Sequence, residues 1–192
     1  MRIAIAGAGA VGRAVASELL GNGHKVLLIE QNPDRYRPHT VPEADWLLAD
    51  ACEVSTLEET ELQNCDTVIA ATGDDKANPA ISLLAKSEFG VPRVVARINN
   101  AANEWLFTDA WGVDVAVSTP RAMVATVEGA IDVGHLVRML ELRQGRSEVA
   151  KLTLGATDAL VGQRIRDIRL PDEAVLAAVV RTGAVIVPPS DH

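Results

Sequence analysis

Cysteine is scarce in this chain: Cys52 and Cys65 are the only two among 192 residues. Their spacing fits no metal motif and is too sparse for a disulfide framework. Both are read as small core residues of a protein kept in a reducing compartment. Aromatic residues make up only 3% of the chain against a hydrophobic fraction of 48%. The core must therefore be aliphatic, as in parallel strands covered on both faces by helices. No charge-free run of 18 apolar residues occurs, which excludes direct membrane insertion through an apolar helix. Arg13 and Glu18 interrupt the apolar N-terminal stretch, so it does not read as a signal peptide. The net charge is −8. That argues against a nucleic-acid partner, which needs a clustered basic face.

Obvious catalytic equipment is missing too. The only tyrosine, Tyr36, has Thr40 four residues on, so a Tyr-x-x-x-Lys acid is absent. His24 falls in a turn at the wrong end of the expected sheet. His39 and His135 have no acidic or serine partner nearby in sequence, and these three and His192 read as surface or packing residues rather than bases. No second lobe is large enough to hold a substrate over a nicotinamide. The residues read as a nucleotide sensor without chemistry, and a small NAD-dependent oxidoreductase is the alternative.

What is present begins six residues into the chain. Gly7, Gly9 and Gly12 follow the apolar run Ile3-Ala4-Ile5-Ala6, and Glu30 closes a second run, Val26-Leu27-Leu28-Ile29. Strand, glycine turn, helix, strand and carboxylate, with the acid about 20 residues on, is the layout that holds a dinucleotide. Gly7 suits a tight turn, Gly9 a close phosphate, and Gly12 close packing of helix on sheet. The helix opening near Ala10 and Val11, after Ala8, aims its free N–H groups and positive dipole end at a pyrophosphate. Glu30 is placed to accept ribose hydroxyls and to repel a 2′-phosphate, which favours NAD(H); ATP or ADP offers the same hydroxyls and phosphates.

Further along, strand and helix patterns alternate. Strands are expected at 2–6, 25–29, 46–49, 67–71, 93–96 and 113–117. Helices are expected at 10–21, from Asn32-Pro33, at 53–61, 75–89, 103–111 and 119–142. This is a doubly wound, Rossmann-like parallel sheet. Residues 1–142 form the nucleotide-binding domain, 143–150 a linker and 151–192 a partial second module. Strands are expected there at 151–154 and 175–187. The tail is small for a free-standing domain, and its stop after Pro188-Pro189 suggests missing sequence. Asp50, Thr72, Gly73 and Arg97 end the third, fourth and fifth strands, on the edge where open α/β sheets bind ligands. Asp50, with Ala51 beside it, either borders the ribose or caps a turn. Arg97 either meets phosphate or pairs with Asp50 or Glu30. Asp74 is read as a helix cap.

Three stretches are more specific than the glycine motif alone. They are Ile3 to Gly12, the Ala71-Thr72-Gly73-Asp74-Asp75 turn, and Arg97-Ile98-Asn99-Asn100-Ala101-Ala102-Asn103. Together they resemble the Trk-type potassium-uptake regulators, whose nucleotide-binding domain is called RCK-N or KTN. The resemblance runs to about residue 140, and the tail from Gly162 through Leu170-Pro171, Arg181 and Pro188 is similar to the start of the smaller RCK-C domain. It implies a non-enzymatic homo-oligomer, a dimer assembling to a ring, at the cytoplasmic face of the cell membrane. Its partner would be a potassium-translocating membrane subunit gated by nucleotide binding. Implied binding positions are the Gly7–Gly12 loop, Glu30 with Gln31, Asp50 with Ala51, Thr72, Gly73 and Arg97. Some relatives carry an arginine between the second and third glycines; Ala10 and Val11 stand there in this chain, which again tilts toward NAD(H). The 119–142 helix is the expected lever, with Val124, Val127, Ile131, Val137 and Leu140 as its apolar stripe.

Overall fold

The computed structural model describes residues 1–131, 134, 136–142, 147–181 and 184–186. The chain divides into two compact units, Met1–Val124 and Ala125–His192.

The first unit is a six-stranded parallel sheet: β1 (Arg2–Ala6), β2 (Lys25–Glu30), β3 (Asp45–Leu48), β4 (Thr67–Ala70), β5 (Arg93–Ile98) and β6 (Val115–Ser118). Their spatial order is β3-β2-β1-β4-β5-β6, and every neighbouring pair is parallel. This is the Rossmann order, with its reversal between β1 and β4. Helices α1 (Ala10–Gly21), α2 (Val54–Glu59) and α3 (Ala77–Ser87) follow β1, β3 and β4. Alternation along each strand divides the core in two. Ile3, Ile5, Val26 and Leu28 pack with Ala16 of α1 on one face. Ala4, Ala6, Val68, Ala70, Val94 and Ala96 pack with Leu57, Ile81 and Ala85 on the other. Small Ala side chains on the second face let α3 approach the sheet, and burying each Ile or Leu contributes roughly 1.5–3 kcal/mol.

Some expected elements differ. Asn32-Pro33 opens no helix. Asn32 Oδ1 instead accepts the Asp34 N–H at 2.9 Å, residues 32–36 form a non-helical turn, and the helical element between β2 and β3 is a 3-10 turn over Pro38–Thr40. An asparagine that bonds its own backbone two residues on favours a turn over a helix. The 103–111 helix is two 3-10 turns, Ala101–Leu106 and Asp109–Trp111.

The largest difference lies after β6. Helix α4 spans Thr119–Ile131, not 119–142, and Leu136–Leu142 is strand β7. Between them Gly134 takes φ +89° and donates its N–H to the Thr153 carbonyl at 2.7 Å. A helix cannot run on through a residue held in that left-handed conformation. β7 pairs antiparallel with β8 (Ser147–Leu152), with a bulge between Arg138 and Leu140 and an Arg138–Glu148 ion pair across it. The expected linker over 143–150 therefore overlaps β8, and residues 143–146 lie outside the described residues. The expected apolar stripe is not one helix face: Val124, Val127 and Ile131 are exposed on α4, while Val137 is buried on β7. In place of one strand over 175–187, β9 (Val179–Arg181) and β10 (Ala184–Ile186) form an antiparallel pair; Val187 and the Pro188-Pro189 stop lie outside the described residues.

Candidate functional site

Gly7 follows β1 with φ +101°, and a Cβ there would stand 2.8 Å from the Thr72 backbone. Two demands therefore fix glycine at this position: left-handed backbone, and close approach of the turn after β4. At Gly12 a Cβ would stand 1.9 Å from the Gly7 carbonyl oxygen, so α1 lies against the loop that it follows. Gly9 differs from both. It precedes α1 with φ −66°, provides no side-chain cap, and a Cβ there would meet no atom within 4 Å. The first turn of α1 thus opens onto free space with its N–H groups uncapped, as an anion site requires.

That space is a cavity of about 810 Å³ at the carboxyl ends of the parallel strands. Of the residues expected at the site, Gly7, Gly9, Ala10, Glu30, Gln31, Asp50, Ala51, Thr72, Gly73 and Arg97 line it. Ala8, Val11 and Gly12 do not; they shape the loop behind the wall. The Ala8 N–H is committed to Glu30 Oε2 at 2.8 Å, and Glu30 Oε1 accepts the Asn32 N–H at 2.9 Å. Glu30 is only 5% exposed. Its first task is to tie the glycine loop to the end of β2. Each carboxylate oxygen retains a second lone pair, so a ribose hydroxyl has an acceptor left.

Asp50 does not cap α2, whose N-cap is Glu53; its Oδ1 accepts the Cys52 N–H at 2.8 Å and closes a turn at the cavity wall. Asp74 accepts the Lys76 N–H at 2.8 Å, just before α3. Arg97 pairs with neither Asp50 nor Glu30 among the described residues. Its Nε donates to Thr119 Oγ1 at 2.9 Å.

Behind the wall sits a polar network that the sequence did not reveal. Asn78 is fully buried, and its Oδ1 accepts the Thr72 N–H at 3.0 Å and the Thr72 hydroxyl at 2.6 Å. Its Nδ2 donates to the Arg97 carbonyl at 2.8 Å. One amide thereby joins the ends of β4 and β5 and fixes two lining residues. Asp75, also buried, accepts from the Asn99 and Asn100 N–H groups and from the Asn99 and Asn103 amides, all within 2.7–2.9 Å. This accounts for the asparagine spacing after Arg97. Burial alone would raise the Asp75 pKa; the hydrogen bonds from Asn103, Asn99 and Asn100 outweigh it and hold the carboxyl below its ordinary value.

Sequence reasoning passed over Arg35 and Arg37, set Arg13 outside the glycine motif, and read Cys52 as a core residue; all four line the cavity, and Cys52 is exposed rather than in the core. Arg13 reaches back to the Ala8 carbonyl at 2.6 Å. The Arg35-x-Arg37 pair shortly after Glu30 was the available signal. Four arginines, with Arg97, face three acids (Glu30, Asp50 and Asp74) in a chain that is acidic overall. An anionic ligand fits that balance.

Cys52 is exposed, yet partial burial and the neighbouring Asp50 carboxylate push its thiol up to about 11. Only the thiolate is nucleophilic. Iodoacetamide at pH 8 should therefore label Cys52 at least tenfold more slowly than free cysteine. Asp50→Asn should raise that rate, as followed by mass spectrometry of the labelled peptide; labelling as fast as free cysteine would contradict the raised pKa.

The fold and the cavity can now be set against known proteins. Residues 3–119 match the TrkA-N domain family. A Trk system potassium uptake protein TrkA of Mycobacterium tuberculosis is 53% identical over 192 residues, covering 100% of this chain and 87% of that protein. A TrkA homolog of Methanothermobacter thermautotrophicus is 30% identical over 193 residues, covering 100% of this chain and 88% of that protein. Among solved structures, the TrkA-N domain of the Escherichia coli inner membrane protein ybaL superposes with a TM-score of 0.61 at 16% identity, over 68% of this chain and 96% of that one. The GsuK structure bound to ADP superposes with a TM-score of 0.53 at 27% identity, over 61% of this chain and 30% of that one. The GsuK channel bound to NAD reaches 0.62 at 17% identity, over 78% and 27%, which is a likeness of fold.

Proposed function

The chain belongs to the TrkA-N domain family, and from that premise we propose that it is a nucleotide-binding regulatory subunit of a potassium-uptake system, with NAD(H) its favoured ligand. The observation that carries this reading is the glycine loop. It opens the uncapped first turn of α1 onto a cavity of about 810 Å³ walled by Glu30, Thr72, Gly73 and Arg97. The loop supplies N–H groups for phosphate, Glu30 supplies acceptors for ribose, and the arginines balance the ligand's charge. Residues Gly7, Gly9, Ala10, Glu30, Gln31, Asp50, Ala51, Thr72, Gly73 and Arg97 are assigned to direct contact. Ala8, Val11 and Gly12 are assigned to the loop's shape.

Regulation follows if the ligand binds one conformation better than another. The subunit would act without catalysis, as a homo-oligomeric ring at the inner face of the cell membrane, bound to a potassium-translocating membrane subunit. Among the described residues no helix is long and apolar enough to cross a membrane.

A second reading keeps the regulator but makes ATP or ADP the ligand. Arg13 favours it, because this arginine lines the cavity although it lies outside the glycine motif. Calorimetric titration with NADH, NAD⁺, ATP and ADP separates the two. Tight NAD(H) binding without NADH turnover supports the first. Preference for ADP or ATP supports the second. No binding by any of them sinks both, and substrate-dependent NADH oxidation would mark an enzyme.

Glu30→Ala should weaken NAD(H) binding by about 1–3 kcal/mol through lost charge-assisted hydrogen bonds. It should also lower the melting temperature, because the Ala8 N–H, 2.8 Å from Glu30, loses its acceptor. Unchanged affinity would remove Glu30 from the contact set.

A further inference from the structure

Arg97 occupies a divided position. It ends β5, lines the cavity, and donates its Nε–H to Thr119 Oγ1 at 2.9 Å. Thr119 is the first residue of α4. Among the described residues the other guanidinium N–H groups of Arg97 have no partner, and no carboxylate neutralises it. Its backbone cannot drift, since Asn78 Nδ2 holds its carbonyl at 2.8 Å. Only the side chain is free to choose between Thr119 and a ligand.

We propose that Arg97 couples the cavity to α4: an anionic ligand group takes the guanidinium from Thr119, and the first turn of α4 loosens. The proposal rests on the nucleotide-binding reading above. Its physical basis is a competition between acceptors. Both bonds have a charged donor, but a phosphate oxygen adds an attraction between opposite charges that the neutral Thr119 hydroxyl cannot offer the guanidinium. A bidentate phosphate contact also reorients the whole planar fork, including Nε. Pro120 has no N–H to give, and Arg121 pairs with Glu104 of the 101–106 turn. That turn is itself tied to the cavity wall through Asn103 and Asp75, at 2.9 Å. Arg97–Thr119 is thus a direct bond between a cavity-lining side chain and the first residue of α4.

Linkage makes the proposal testable from both sides. If the ligand must displace Thr119, removing the Thr119 hydroxyl must tighten the ligand by the same factor. The experiment uses the full chain with ADP and NADH as probes. In calorimetry Thr119→Val should bind whichever probe binds the wild type about fivefold more tightly, while Thr119→Ser should match the wild type. In hydrogen–deuterium exchange, saturating probe should speed exchange of wild-type amides over 119–124. The exchange measurement needs no variant, so a poorly folded Thr119→Val leaves the test standing. Probe bound in calorimetry with exchange at 119–124 unchanged or slowed would overturn the coupling and leave the nucleotide reading intact. Unchanged affinity in a folded Thr119→Val would do the same. No binding of either probe to the wild type would remove both.

Discussion

Gly12→Ala should abolish nucleotide binding and cost the first unit more than about 3 kcal/mol of stability, whereas Gly9→Ala should leave the fold intact. The two glycines stand three residues apart and answer to different constraints. The added methyl at Gly12 would lie 1.9 Å from the Gly7 carbonyl oxygen, a backbone atom that no side-chain rotation can clear. α1 would have to lift from β1, opening the packing of Ala16 against Ile3 and Ile5. At Gly9 the methyl would meet no protein atom within 4 Å, and φ is −66°, which alanine adopts freely. Its cost should appear only when ligand is present, as an affinity loss of at least tenfold where a phosphate needs that space. Circular dichroism melts and calorimetry on both variants separate the effects. Equal melting losses for the two would contradict the assignment of Gly12 to packing and Gly9 to the ligand.

Asp75→Asn should destabilise the unit by about 1–3 kcal/mol at neutral pH. For a chain of this size each kcal/mol lowers the melting temperature by about 2–4 °C. The substituted amide would turn a donor toward donors: four N–H groups point at the two Asp75 oxygens, from Asn99, Asn100 and Asn103. The effect must also depend on pH. Because hydrogen bonding lowers the Asp75 pKa in the folded state, the unfolded chain binds more protons in the acid range, and stability rises with pH there. The Asp75 contribution is therefore complete above the unfolded value near 3.9. It is lost as pH falls through the lower, folded value. Melting curves of wild type and variant from neutral pH into the acid range should converge as the wild type acidifies. A gap that stays constant below pH 4 would mean that Asp75 acts through shape alone.

The sequence carried the sheet well because burial on both faces forces continuous apolar runs. Ile3–Ala6, Val26–Ile29 and Val68–Ala70 could hardly be anything but interior strands, and the glycines fixed where β1 turns. It carried α4 poorly. The apolar residues from Val124 to Leu140 keep a rough helical period that runs on past Ile131, where α4 ends, and a glycine such as Gly134, at φ +89°, marks the change only weakly. The cavity's lining was legible where it follows strand ends, as at Glu30, Asp50, Thr72 and Arg97. Arg35 and Arg37 escaped because they lie on an irregular connection, whose path no periodicity encodes. Asn78 and Asp75 escaped for another reason. Their partners lie up to 28 residues away, and a buried hydrogen-bond network leaves no local pattern.

The bond between Glu30 and the Ala8 N–H bears on how fast a ligand can be captured. A glycine loop left to itself samples many shapes, and a ligand that must select one of them is slowed and weakened by the ordering it imposes. Here the carboxylate at the end of β2 already holds the loop, and Thr72 already crowds Gly7 into its left-handed turn. The conformational entropy of the phosphate cradle was lost when the chain folded. On the nucleotide-binding reading the loop then needs no further ordering at capture, and the side chain left to move is that of Arg97.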